Sequence, residues 1–167
     1  ATDGEEKPER VGASACLACH ANKEEFRGNI HAKRWPKEKK IEFEESCETC
    51  HGPGSLHVGA GGDKTQPGFK TIRGPKTLAT SAGSESCLTC HGTGHRSHWS
   101  GSTHEGRNVG CATCHSVHGT NKHLLAKPTQ PETCYTCHQN IRADFRRANH
   151  HPVPEDKMSC SDCHNPH

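Results

Sequence analysis

Short helices joined by irregular loops, with almost no β structure and an interior the polypeptide does not itself supply, are the fold class that three observations predict. The first is a pentapeptide, Cys-x-x-Cys-His, written six times and using all twelve cysteines of the chain. The second is composition. Leu, Ile, Val and Phe number 19 of 167 residues, about 11%, where roughly 20% is the usual floor for building a hydrophobic core. The third is patterning. No run alternates apolar and polar residues as a strand would, whereas residues 22–35 and 139–149 have helix-forming composition with few breakers, and residues 37–45 read as a further short helix.

The motifs comprise Cys16, Cys19 and His20; Cys47, Cys50 and His51; Cys87, Cys90 and His91; Cys111, Cys114 and His115; Cys134, Cys137 and His138; and Cys160, Cys163 and His164. They are numbered 1 to 6 in chain order below. In this arrangement two thiols add across the vinyl groups of a haem, and the adjoining imidazole becomes the first axial ligand of its iron. Six covalent c-type haems are expected, and their rigid apolar faces supply the missing core. Structural zinc offers a competing use for paired cysteines, as three Cys₄ ions. It gives no reason for a histidine at every fifth place. A disulfide framework competes as well, but Cys-x-x-Cys spacing is short for structural bridges.

Beyond each motif lies a second histidine, and its position divides the motifs into two kinds. After motifs 1, 3 and 5 it comes late, five residues beyond an aromatic: Phe26 and His31, Trp99 and His104, Phe145 and His150. After motifs 2, 4 and 6 it comes almost at once, as His57, His118 and His167. The chain reads as three two-haem modules, at 13–60, 84–123 and 131–167, behind a tail at 1–12. A connector over residues 58–86, with the loop proper at 61–83, carries six glycines and two prolines but no cysteine or histidine and reads as a surface spacer.

The six motif histidines as proximal ligands, with His31, His57, His104, His118, His150 and His167 as distal ligands, give two imidazoles for each iron. Six-coordinate, low-spin haem of this kind suits electron transfer, because redox change barely alters its geometry and no site is open to substrate. Reach constrains the pairing. Two axial imidazoles place their Cα atoms roughly 12 Å apart given metal–nitrogen distances of about 2 Å, and three extended residues span only about 10–11 Å. His118 and His167 therefore must serve haems other than those of His115 and His164, and His57 is expected to do likewise. His95, His98, His123 and His151 are left over as surface or propionate-bonding groups, with His95 and His98 open as rivals of His104 and His151 as a rival of His150.

The formal charge of +2 omits the cofactors. Twelve propionates and six ferric centres bring it to about −4, and full reduction to about −10. With no basic patch interleaved with aromatics, nucleic acid is not an expected partner. Residues 33–45 mix both signs and read as a solvated face. No apolar run of 18 residues exists to span a bilayer. Haem attachment of this type takes place outside the cytoplasm, so the chain is expected to be a mature form whose leader was removed before Ala1, located in the periplasm or beyond it, on the outer membrane or outside the cell. Because residue 1 is not cysteine, no N-terminal lipid anchor is expected.

The stretch from Cys87 to His167 resembles the DmsE/MtrA family of periplasmic multihaem cytochromes. The residues that carry the likeness are Cys87-Leu-Thr-Cys-His91 with Trp99 and His104; Cys111-Ala-Thr-Cys-His-Ser-Val-His118; Cys134-Tyr-Thr-Cys-His138 with Arg142-Ala-Asp-Phe145 and His150-His-Pro152; and Cys160-Ser-Asp-Cys-His-Asn-Pro-His167. It extends to the first module through Cys47-Glu-Thr-Cys-His-Gly-Pro-Gly54 and His57, and the chain is more loosely similar to the pentahaem electron donors of nitrite reductase. The resemblance implies bis-histidine haems in a line, serving donor and acceptor cytochromes or an outer-membrane porin conduit. Six haems match neither the ten of the conduit proteins nor the five of the donors. At about 10 Å per step they would form a chain of roughly 50–60 Å, against 40–45 Å for a whole bilayer. An electron carrier rather than an enzyme is expected. Two alternatives stay open: a self-associating subunit of a cytochrome filament, and a multihaem oxyanion reductase, for which Tyr135 and Met158 are isolated candidates and which would need an open iron.

Overall fold

Each Cys-x-x-Cys-His motif winds into one helical turn, and these turns organise the fold. In the computed structural model, which describes residues 6–120 and 124–167, the histidine N–H of motifs 1, 4, 5 and 6 donates to the carbonyl of the first cysteine, at 2.9, 3.0, 3.0 and 2.9 Å. Motifs 2 and 3 close the helices Phe43–His51 and Glu85–His91. The turn is what the attachment chemistry needs. Residues three and four apart share a helix face, so both sulfurs and the imidazole lie on one side of the backbone.

The chain divides into two compact units, Ala1–Thr77 with His118–Thr120, and Leu78–Val117 with Asn121–His167. The first contains helices α1 (Ala13–Leu17), α2 (Ile30–Glu38), α3 (Phe43–His51) and α4 (Ser55–Gly59), with 3₁₀ turns at Ala21–Gly28 and Pro67–Lys70. A further helix, α5 (Pro75–Leu78), runs to its end. In the second lie α6 (Glu85–His91), α7 (Thr103–Gly106), α8 (Cys111–Cys114), α9 (Gln130–Tyr135) and α10 (Gln139–Asp144), with 3₁₀ turns at Ala82–Ser84, Gly94–His98 and Cys160–Asp162. The first haem module falls in the first unit; the third lies in the second, as does most of the second module.

Capping residues fix where the motif helices begin. Thr129 Oγ1 accepts from the Glu132 N–H while Glu132 returns a carboxylate oxygen to the Thr129 N–H, at 3.3 and 3.2 Å. Ser159 with Asp162 and Glu42 with Glu45 form the same reciprocal box ahead of motifs 6 and 2. Asn29, fully buried, caps α2 by accepting from His31 N–H at 2.8 Å and donates its amide to the Gly119 carbonyl.

Helical content is confirmed and its boundaries are corrected. Residues 22–35 are broken at Asn29, whose extended backbone (ψ 153°) separates a 3₁₀ turn from α2. Residues 37–45 are not a helix: α2 ends at Glu38, Lys40 is left-handed at φ 58°, and Glu42 is extended as the cap of α3. Within 139–149 the helix stops at Asp144, so His150 does not ride it. Among the described residues no strand forms, and the β content is one isolated bridge between His115 and Leu125. No described helix is long and apolar enough to cross a membrane.

Only Ala13, Trp99, Leu124 and Val153 are buried apolar side chains among the described residues. So small a polypeptide core follows from a chain with only 19 Leu, Ile, Val and Phe residues in 167.

Candidate haem sites

The structure brings the histidines together in pairs. In the first unit, the rings of His20 and His57 have centroids 6.4 Å apart, and those of His51 and His118 5.8 Å apart. In the second, His115 and His167 are 6.1 Å apart, and His104 and His138 6.4 Å apart. An iron between two imidazoles takes a nitrogen on each side at about 2 Å, which with the two ring radii sets the centroids roughly 6 Å apart. The four centroid separations match that spacing. Ring planes meet at 15°, 3°, 13° and 76°, and both near-parallel and near-perpendicular settings are compatible, since rotation about the iron–nitrogen axis leaves the bond intact.

Each pair joins a motif histidine to a second histidine, and the partners cross between motifs. His57 follows motif 2 and faces motif 1; His118 follows motif 4 and faces motif 2; His167 follows motif 6 and faces motif 4. His104, which follows motif 3, faces motif 5. Burial and the adjoining His51 charge push His118 below the usual imidazole range. Burial and His115 do the same to His167. Both effects favour the neutral ring, which is the ligating form.

Outer hydrogen bonds decide which ring nitrogen is bare. His51 Nδ1 lies 2.6 Å from the Arg73 carbonyl, His57 Nδ1 2.8 Å from that of Phe69, and His104 Nδ1 3.0 Å from that of Pro166. A carbonyl only accepts, so Nδ1 carries the proton in each ring and Nε2 keeps its lone pair for a metal. His31 Nδ1 stands 3.1 Å from Asn29 Oδ1 on α2. His150 differs. Its Nδ1 meets the Arg147 carbonyl at 2.5 Å, and its Nε2 meets Glu155 Oε1 at 3.1 Å, so both nitrogens face acceptors and the hydrogen bond to Glu155 raises its pKa. As placed, His150 faces a carboxylate rather than a second imidazole.

The cysteines of successive motifs are electrostatic neighbours within each unit. Burial pushes the Cys16 thiol up to about 11, with Cys47 and Glu48 adding to the shift. Burial and Cys160 take the Cys134 thiol up to about 11. Cys114 is raised by burial and then Cys137, while a hydrogen bond with Cys87 leads the lowering of Cys111. Motifs 1 and 2, 3 and 4, 4 and 5, and 5 and 6 thus adjoin at their sulfurs. No group of three or more His, Cys, Asp or Glu among the described residues is arranged to hold a metal ion by itself.

Several contributors were not anticipated. Glu48, one of the two variable residues of motif 2, is 2% exposed. Its carboxylate accepts from Val11 N–H at 3.0 Å, Gly12 N–H at 3.0 Å and Gly54 N–H at 2.8 Å, tying the segment before motif 1 and the turn before His57 to motif 2. Gly52, at φ 83°, makes that turn without Cβ strain. In the second unit Ser84, fully buried, accepts from the Cys111 N–H at 3.0 Å. Trp99 buries its indole N–H without a partner among the described residues, a donor suited to a propionate oxygen. Of the spare histidines, His95 and His98 lie on the 3₁₀ turn Gly94–His98. The carbonyl of His95 accepts from Asn165 Nδ2 at 3.2 Å. His151 is exposed, and His123 lies outside the described residues.

Two family models and one curated relative match the chain. A family model described as cytochrome c554 and c-prime matches residues 2–52 and 64–116, and one for a doubled CXXCH motif matches residues 104–143. The multiheme cytochrome MtrA of Shewanella baltica (strain OS185) is 35% identical over 160 residues, covering 93% of this chain and 46% of that protein. The chain spans about half the length of this curated relative.

Proposed function

The chain belongs to the cytochrome c554 and c-prime family, and from that premise we propose that it is a hexahaem c-type cytochrome that passes electrons along bis-histidine haems between redox partners. Haem at these motifs supplies one-electron ferric/ferrous chemistry. The chain's own residues do the rest. Twelve cysteines, at positions 16, 19, 47, 50, 87, 90, 111, 114, 134, 137, 160 and 163, would hold the porphyrins, and paired imidazoles would hold the irons and leave no exchangeable position for substrate. Carbonyls hold the Nδ1 protons away from the metal.

The observation that carries this reading is the set of four imidazole pairs spaced for one iron each. His31 and His150 are proposed as the remaining distal ligands, with His150 exchanging Glu155 for a metal. The sulfur contacts between successive motifs support short haem-to-haem steps within each unit. Likeness to MtrA supports an exported, periplasmic protein, with donor and acceptor cytochromes or an outer-membrane conduit as partners.

Intact mass and ferric electron paramagnetic resonance of the holoprotein test the proposal. Six covalent haems and wholly low-spin spectra are expected. A stoichiometric high-spin ferric signal would point instead to an open iron and a reductase.

A further inference from the structure

The connector between the first and second modules reads as a spacer in the sequence, yet its carbonyls hold two imidazoles that belong to different sites. Phe69 accepts from His57 and Arg73 from His51. The second contact is reciprocal, because Arg73 N–H also donates to the His51 carbonyl at 2.9 Å. The Phe69 ring stands 5.0 Å from the His57 ring, so that imidazole is held by a hydrogen bond and by ring packing.

The stretch itself is fixed. Thr71 donates its N–H and its hydroxyl to the Gly68 carbonyl, at 3.2 and 2.7 Å. Gly68 lies so close to α4 that a Cβ there would sit 2.5 Å from the Leu56 carbonyl oxygen. The approach therefore depends on glycine, and α4 carries His57.

We infer that residues 69–73 form one outer clamp on the axial imidazoles of two neighbouring haem sites, setting the reduction potentials of both together. The inference rests on the bis-histidine reading above. His57 faces His20 of motif 1, whereas His51 belongs to motif 2 and faces His118. A carbonyl accepting the Nδ1 proton makes the imidazole a stronger electron donor through Nε2, and a stronger donor favours the ferric state. The clamp lowers both potentials, and slackening it raises both.

Gly68→Ala in the full-length holoprotein is the test, with Gly74→Ala as control because a Cβ at Gly74 meets nothing within 4 Å. Redox titration and ferric electron paramagnetic resonance of the unsubstituted protein come first. A high-spin or missing haem there refutes the bis-histidine reading independently of the clamp. In Gly68→Ala, two of the six haems are expected to become at least threefold easier to reduce, about 30 mV, while remaining low-spin, with four unchanged and Gly74→Ala like the parent. No shift, or a uniform shift of all six, overturns the inference. If Gly68→Ala does not retain six haems, Thr71→Val removes the hydroxyl bond to Gly68 without a clash. The same two haems should then move by a smaller amount, and unaltered potentials overturn the inference.

Discussion

His51 and His118 lie with ring centroids 5.8 Å apart and planes 3° from parallel, although His118 follows motif 4 and His51 completes motif 2. The short tripeptide after His115 would be unable to return to an iron held by His115, and the His118 ring lies instead beside that of His51. Replacing His118 by Ala is expected to turn the haem of Cys47 and Cys50 high-spin while that of Cys111 and Cys114 stays six-coordinate. His167→Ala should do the same to the haem of Cys111 and Cys114 and spare that of Cys160 and Cys163. Electron paramagnetic resonance of the two variants, each showing one high-spin haem in six, checks the assignment.

Glu48→Ala removes a buried acceptor that three backbone donors share. Those N–H groups would lose a charge-assisted partner, at about 1–3 kcal/mol for each buried group left unsatisfied. A loss of about 3 kcal/mol in total is expected, read as a lower denaturant midpoint by circular dichroism. A midpoint equal to the parent's would show that the Glu48 hydrogen bonds carry no net stability.

Gly110→Ala tests packing in the second unit. Its Cβ would lie 2.1 Å from the Thr80 carbonyl oxygen, and its N–H donates to the Ala79 carbonyl at 2.7 Å. Relieving the clash must part the chain ahead of motif 4, at about 1–3 kcal/mol. Gly106→Ala, where a Cβ meets nothing within 4 Å, should leave the melting temperature near the parent's.

Glu44 supplies a pH-dependent contact between α3 and α1. The Ser14 backbone N–H and hydroxyl hydrogen-bond its carboxylate at 3.0 and 2.8 Å and hold its pKa below the ordinary carboxylate range. Because the folded value is the lower one, the contribution is complete above the unfolded pKa and disappears as pH falls through the folded pKa. Glu44→Gln should be less stable than the parent at neutral pH, and the difference should vanish in acid. Denaturation curves across that range provide the check, and a pH-independent difference would exclude the carboxylate as its source.

How much was legible in the sequence depended on whether the signal was local. The motifs themselves are read from local spacing, whereas the capping pairs Thr129 with Glu132 and Ser159 with Asp162 emerge only in the structure. Residues 37–45 read as one helix because their composition suits it, while Lys40 and Glu42 serve as a break and a cap. The connector looked like a spacer because its contribution comes from the carbonyls of Phe69 and Arg73, and backbone acceptors leave no trace in side-chain identity. Glu48 was hidden for a related reason: an acidic residue between two cysteines looks solvent-facing until the Val11, Gly12 and Gly54 amides converge on it.

By itself the sequence determined the six Cys-x-x-Cys-His motifs, the helical and loop-rich character of a chain poor in aliphatic residues, and a limit of reach that would keep His118 and His167 from irons held by His115 and His164. Those follow from covalent chemistry and chain reach, which act over a few residues. Only the tertiary structure decided which imidazoles face one another. That choice joins His20 to His57, His51 to His118, His115 to His167 and His104 to His138. It is made by packing between segments far apart in the chain, where many partners lie within reach and close contact selects among them.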